Sequence, residues 1–129
     1  MERFFGYLRL VWLPQRNLGT FSWLAHRLTG VALAAYLVPH LVTINRAREG
    51  AAALDRALAW YTGPLVAAGE FVLVGVVVFH LFNGLRVIAV DFFDLSHRQK
   101  ALFWVVLAAC GAVMVAASWL FVPRILAPA

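Results

Sequence analysis

Three long apolar segments alternate with short polar stretches along the chain. They cover residues 21–44, 64–90 and 101–122. Each has the roughly 20 residues that an α-helix needs to cross about 30 Å of hydrocarbon. The third segment contains no charged residue, whereas the first two carry ionisable side chains. The pattern predicts an all-α membrane protein with three transmembrane helices in a single membrane domain over residues 1–129.

The stretches outside these segments have patterns of their own. Residues 1–20 mix arginine with aromatic and aliphatic side chains up to Pro14, which is typical of a short interfacial helix lying on the membrane. Residues 45–63 contain an alanine run and Asp55, and predict a short surface helix. The apolar stretch at residues 4–13 is interrupted by Arg9 and lacks a small-residue cleavage pattern, so no signal peptide is predicted.

Composition supports the membrane class. The 129 residues are 64% hydrophobic and 13% charged, whereas soluble domains are roughly half apolar and a quarter charged. The one cysteine, Cys110, lies in the third apolar segment. A single cysteine provides neither an internal disulfide nor a cysteine-based metal site.

The net charge of +5 does not indicate nucleic-acid binding, because the basic residues lie between or at the ends of the apolar segments. With the N-terminus inside, seven basic residues would be cytoplasmic and four external. This asymmetry predicts a multi-pass protein of the cytoplasmic membrane with a cytoplasmic N-terminus. The cytoplasmic set is Arg3, Arg9, Arg16, Arg27, Arg86, Arg98 and Lys100, and the external set is Arg46, Arg48, Arg56 and Arg124.

Three of the four histidines lie in the first two apolar segments. His26 and His40 are fourteen residues apart, which places them within about 40° of each other on one helix face. His80 lies in the middle of the second segment, on a stripe with Gly84 and Asp91. His97 lies in the polar loop after the second segment, where a solvated histidine is expected.

The pattern around His80 leaves two interpretations open. An imidazole in a membrane needs a polar partner, which is either a neighbouring helix or a haem iron, and Gly84 leaves room beside it for a flat group. His80 lies about 15 Å, and His40 about 25 Å, from the inner boundary of the membrane. The two histidines are therefore poorly placed to bind one iron together. If both bind haem, they bind different haems, and each would then need a second histidine from another chain.

Two motifs carry a resemblance to a known family. Residues 22–30 read SWLAHRLTG, and residues 79–86 read FHLFNGLR, followed by Asp91. They resemble the Ser…His-Arg-x-(Ser/Thr)-Gly and His-x-x-x-Gly-(Ile/Leu)-Arg…Asp motifs of the cytochrome b large membrane-anchor subunit of succinate dehydrogenase, in the succinate:quinone oxidoreductase and fumarate reductase family. The length and the number of predicted spans are also similar.

The resemblance implies a haem b-binding membrane anchor that passes electrons from an iron–sulfur subunit to a membrane quinone. A flavoprotein subunit, an iron–sulfur subunit and a second small membrane subunit would be its partners, and the membrane subunits would form a heteromeric helical bundle. By position in the motifs, His80 would be an axial ligand of the haem nearer the iron–sulfur subunit. His26 and Arg86 would contact the haem propionates.

The resemblance also implies a quinone site formed by Arg27 and Ser22, with Asp91 beside them. Serine is usually three residues before the motif histidine in this family, whereas Ser22 is four residues before His26, which rotates it by about 100°. His40 resembles the first-helix histidine of the two-haem branch, where it ligates the outer haem. Two haems are therefore expected, which agrees with the depth argument.

Three alternative functions are open. One differs in the direction of the reaction, and two differ in the class of protein. The same anchor serves a quinol:fumarate reductase, which runs the reaction in reverse. A haem-free scaffold or assembly subunit would use His40 and His80 only for hydrogen bonds between helices. A small transporter protomer would place His26 and Arg27 in a substrate path.

Overall fold

The computed structural model describes residues 18–126. The predicted interfacial helix over residues 1–20 lies almost entirely outside them. The described elements, in chain order, are α1 (Leu18–Asn45), a 3-10 turn (Arg46–Glu49), α2 (Ala51–Leu58), α3 (Pro64–Phe93), a second 3-10 turn (Ser96–Arg98) and α4 (Gln99–Leu126).

The prediction of an all-α membrane protein is confirmed for the part of the chain that is described. α1, α3 and α4 are each long and apolar enough to cross a membrane. α2 is the short helix that was expected between the first two spans. The long helices extend a few residues beyond the apolar segments.

Two tight backbone turns set the ends of α3. Gly63, with φ of 101°, comes directly before Pro64, which occupies the first turn of the helix. Proline suits that position, since its missing N–H would have no helical partner there. Asp94 ends the helix in the left-handed conformation, with φ of 49°. The segments over residues 46–63 and 94–98 therefore reverse the chain, so that α3 runs antiparallel to α1 and to α4.

We call the end of the bundle where α1 begins and α3 ends the inner end, after the predicted topology, and the opposite end the outer end. At the inner end the rings of Phe21 and Phe103 join α1 to α4, with an edge-to-face centroid distance of 6.4 Å. At the outer end an ion pair of 3.0 Å joins Glu70 of α3 to Arg124 of α4. α3 packs against both neighbours and is the central helix.

Few side chains are buried among the described residues, and long apolar faces are open. Val31, Val38 and Leu41 of α1 are all more than half exposed. Such a continuous apolar surface is rare on a soluble monomer, and here it is available to lipid or to another membrane chain. The buried residues are Ser22, Ala53, Ala67, Asn83, Phe103 and Val106.

Candidate functional site

The imidazole rings of His26 and His80 stack on each other where α1 crosses α3. Their centroids are 4.0 Å apart and their planes differ by 6°. Each side chain leaves its helix on the face that meets the other helix. We call these two residues the histidine pair. The sequence predicted a polar, inward position for both residues, and the structure brings them into direct contact.

Each ring of the histidine pair lies over a glycine of the opposite helix. A Cβ added at Gly30 would lie 3.1 Å from Cε1 of His80, and one added at Gly84 would lie 3.4 Å from Cε1 of His26. The sequence expectation was that Gly84 leaves space for a bulky flat group beside His80. Within this chain the ring of His26 takes that space, so the glycine serves helix–helix contact.

Two hydrogen bonds fix the orientation of the His80 ring. Its Nδ1 lies 3.2 Å from the backbone oxygen of His26, and 3.1 Å from Oγ1 of Thr29. A carbonyl oxygen only accepts, so Nδ1 carries the proton and donates. The Thr29 hydroxyl directs its own proton to the carbonyls of Ala25 and His26, at 2.8 and 2.9 Å, and accepts from Nδ1. In neutral His80 the lone pair is therefore on Nε2.

Below the histidine pair, toward the inner end, a second polar contact joins the same two helices. The Ser22 hydroxyl donates to Oδ1 of Asn83 at 2.9 Å, and both residues are almost completely buried. Ser22 was predicted to help bind quinone. The structure directs its hydroxyl to α3, and its quinone role stays a prediction.

Three buried polar atoms around this region have no hydrogen-bond partner among the described residues. They are Nδ1 of His26, Nδ2 of Asn83 and Nε of Arg86. Native proteins rarely leave such atoms unpaired, and each instance points to a missing partner such as water, a ligand or another chain. Arg86 also makes no ion pair in the part described, and its guanidinium lies 5.4 Å from the ring centroid of Phe103.

The remaining residues of the predicted quinone site lie at the inner end of the bundle. Arg27 is exposed, and its guanidinium stacks over the ring of Trp23 at 4.2 Å. Asp91, near the end of α3, is also exposed. Ser22 faces the α1–α3 contact, so the structure does not bring the three predicted residues into one pocket within this chain.

His40 lies in a separate cavity at the outer end, which we call the outer cavity. Its volume is about 740 Å³. Its wall is mainly apolar and includes the polar groups of Tyr36, Thr43, Tyr61 and Glu70. The Tyr36 hydroxyl lies 3.3 Å from Nδ1 of His40. Because a phenol both donates and accepts, this contact does not select one tautomer of His40, unlike the carbonyl that faces His80.

Sequence reasoning missed three residues that the structure makes important. Thr29 and Asn83 lie within the two motifs at residues 22–30 and 79–86, yet the sequence pattern assigned no role to either residue. Asn83 follows His80 by three residues, so it lies on the same helix face, and that spacing was the available signal. Glu70 is a carboxylate in the second apolar segment, and its charge alone indicated a partner.

The described residues thus form a three-span helical membrane subunit with a polar histidine contact at its centre. Comparison with known proteins gives the family. The profile of the succinate dehydrogenase/fumarate reductase transmembrane subunits matches residues 9–122. The chain belongs to this family, as a membrane-anchor subunit.

Two curated proteins are similar to the chain. One is the succinate dehydrogenase 2 membrane subunit SdhC of Mycobacterium tuberculosis, which is 34% identical over 89 residues, or 68% of this chain and 65% of that protein. The chain therefore spans slightly less than two thirds of that relative. The other is the succinate dehydrogenase hydrophobic membrane anchor subunit of Halobacterium salinarum, which is 30% identical over 99 residues, or 76% of each protein.

Proposed function

We propose that the chain is the haem b-binding membrane anchor of a succinate:quinone oxidoreductase, in which electrons pass from an iron–sulfur subunit to membrane quinone. The observation that carries this proposal is the orientation of His80, whose Nδ1–H is held by a backbone carbonyl. Histidines that bind metals usually donate the other ring N–H to such an acceptor, which fixes the tautomer and raises the basicity of the ligand. The lone pair on Nε2 is then ready to bind iron.

The polar groups near His80 also fit a haem. Arg86 is a cation in a membrane-spanning helix with no acidic partner among the described residues, and such a charge needs a counter-ion. A haem propionate would supply it, and His26 would contribute a ring nitrogen to the same anion. Iron held by two imidazoles has no open coordination site and supplies one-electron transfer.

A second haem is proposed at His40. His80 lies beside Gly30 of α1, and His40 is ten residues farther along that helix. The separation along α1 is therefore about 15 Å, more than the difference of roughly 10 Å that the sequence predicted. The volume of the outer cavity falls within the range of roughly 300–1,000 Å³ that is typical of ligand sites, and its apolar wall with few polar groups is typical as well. His40 and His80 would each share an iron with a histidine of the second small membrane subunit, which would cover the open face of α1.

The quinone site is proposed at the inner end. Arg27 is exposed there, and its cation would stabilise the negative charge that develops on a quinone oxygen during reduction. Its stacking on Trp23 holds the guanidinium in place. Asp91 would exchange protons with the aqueous phase, whereas the hydroxyl of Ser22 is bonded to Asn83. The iron–sulfur and flavoprotein subunits would dock on this side, which is the cytoplasmic side of the cytoplasmic membrane.

The reduced optical spectrum of the purified complex tests the proposal. With dithionite we expect a b-type α-band, and with succinate we expect quinone reduction that depends on the membrane subunits. The haem-free scaffold alternative predicts the complex without the band. A purified, assembled complex with no b-type absorption would therefore contradict the proposal.

The number of haems is tested separately at His40. We expect His40→Ala to lose the outer haem and retain the inner one, because the two histidines lie in different sites. Tyr36→Phe is the matched control, since it removes only the hydroxyl beside Nδ1 and should retain both haems. The measurement is the ratio of haem to protein in the purified complex. One haem in the wild type that survives His40→Ala would contradict the two-haem proposal and leave the inner site unaffected.

A further inference from the structure

The hydrogen bond between Ser22 and Asn83 is unusual for its environment. The structure buries only six of the described residues, and these two are the polar ones among them. Asn83 Oδ1 accepts the Ser22 proton, and Nδ2 has no partner. Rotating the amide by 180° exchanges the two atoms but keeps one hydrogen bond to Ser22, so the cross-link between α1 and α3 is present in either orientation.

The position of this cross-link connects it to the histidine pair. Ser22 is one helical turn before His26 on α1, and Asn83 is one turn after His80 on α3. The same two helix faces therefore carry the cross-link and, next to it, the stacked rings.

The groups that orient the His80 ring all belong to α1. Its Nδ1 partners, Thr29 Oγ1 and the backbone oxygen of His26, both belong to α1, and so does the glycine beneath its ring. A slide of α1 by one residue would shift these groups by about 1.5 Å. Such a shift would lengthen the hydrogen bonds of 3.1 and 3.2 Å beyond the distance at which a donor and an acceptor interact strongly.

Apolar contacts between α1 and α3 are non-directional, so they define the register less sharply than a hydrogen bond does. A buried hydrogen bond opposes a slide along the helix axis, because breaking it leaves two polar atoms unpaired in a low-dielectric region. Polar side chains commonly join transmembrane helices in this way.

We propose that Ser22 and Asn83 are positioning residues for His80: their buried hydrogen bond fixes the register of α1 on α3 and thereby aims the imidazole of His80 at the iron. This inference rests on the proposed haem at His80. It gives Ser22 a role that does not involve quinone, and it assigns Asn83 a role that the motif resemblance did not supply.

The test compares Ser22→Ala, Asn83→Ala and the double variant in the complete purified complex. The readouts are the midpoint potential and the low-spin EPR signal of the inner haem. With the register loosened, His80 Nδ1–H loses its acceptors and the ligand becomes less basic, which favours the reduced iron. We expect an upward shift of the potential in both single variants, and a double variant that shifts less than the sum of the two.

Ser118→Ala is the matched control. The Ser118 hydroxyl donates to the backbone oxygen of Val115 within α4, so its removal deletes a hydroxyl from a membrane helix without breaking a contact between helices. This variant should have the wild-type potential and EPR signal. A shift of equal size in Ser118→Ala would contradict the positioning role.

A second double variant covers the case in which the single variants do not assemble. Ser22→Ala with Asn83→Leu replaces both partners by apolar groups, which leaves no polar atom of the pair without a partner. We expect this variant to assemble and bind haem with a shifted potential and EPR signal. Wild-type values, in this variant or in Ser22→Ala with haem retained, would overturn the inference. A wild-type complex without haem would instead refute the proposed function, so the two failures are distinguishable.

Discussion

His80→Ala is expected to abolish binding of the inner haem while the complex still assembles. The imidazole supplies the one nitrogen of this chain that is aimed at the inner iron in the proposed site, and alanine supplies no ligand. The measurement is the dithionite-reduced α-band, normalised to the amount of iron–sulfur subunit in the purified complex. We expect the outer haem to persist in this variant, because His40 lies about 15 Å away along α1.

The structure indicates why this loss would not come from misfolding. Removing the His80 ring leaves Thr29 with both of its backbone acceptors, Ala25 and His26, and it leaves no charge unpaired. The variant does create a small cavity, which costs some stability but is open to an added small ligand. Free imidazole is therefore expected to restore part of the α-band.

His97→Ala is the matched histidine control. His97 is exposed in the turn between α3 and α4, as the sequence predicted for a solvated loop residue. It should retain the wild-type α-band. Unchanged haem content in His80→Ala would contradict the ligand assignment and favour a histidine that only bonds between helices.

The sequence predicted the spans well, because a long apolar segment has few alternatives to a membrane helix. It also placed His80, Gly84 and Asp91 on one face, since that depends only on the helical period. What periodicity does not contain is the pairing between helices. Which residue of α1 meets Gly84 depends on the register and crossing of two helices, and this is why Gly84 was assigned to a bulky ligand rather than to His26.

The same reason accounts for Ser22 and Asn83. Ser22 lies one residue farther from His26 than the serine of the family motif, so its side chain points in a different direction around the helix. The sequence alone did not show what the side chain faces in that direction. The structure shows that it faces Asn83, which is one turn from His80. The contact between Glu70 and Arg124 is another pair of this kind, and its members are 54 positions apart in the sequence. Such contacts can be identified only when the packing of the helices is known.

Gly30→Ala is expected to displace the His80 ring and remove most of the inner haem. The new Cβ would lie 3.1 Å from Cε1 of His80, so the ring or the helix must move by a few tenths of an ångström. The ring has little freedom, because it is stacked on His26 at 4.0 Å and bonded through Nδ1. Overpacking of this kind costs about 1–3 kcal/mol, and here the strain falls on a ligand whose direction matters.

Substitutions at two further glycines are expected to give smaller losses of haem, or none, in a defined order. Gly84→Ala places a Cβ 3.4 Å from Cε1 of His26, so we expect a smaller loss of haem, through the partner ring. Gly111→Ala in α4 meets nothing within 4 Å, so it should retain the wild-type haem content and the assembled complex. The expected order of haem loss is Gly30, then Gly84, then Gly111. Haem content that is unchanged in Gly30→Ala, or equal in all three variants, would contradict the tight seating of His80 against α1, because only a loosely held ring accepts a methyl group at that distance.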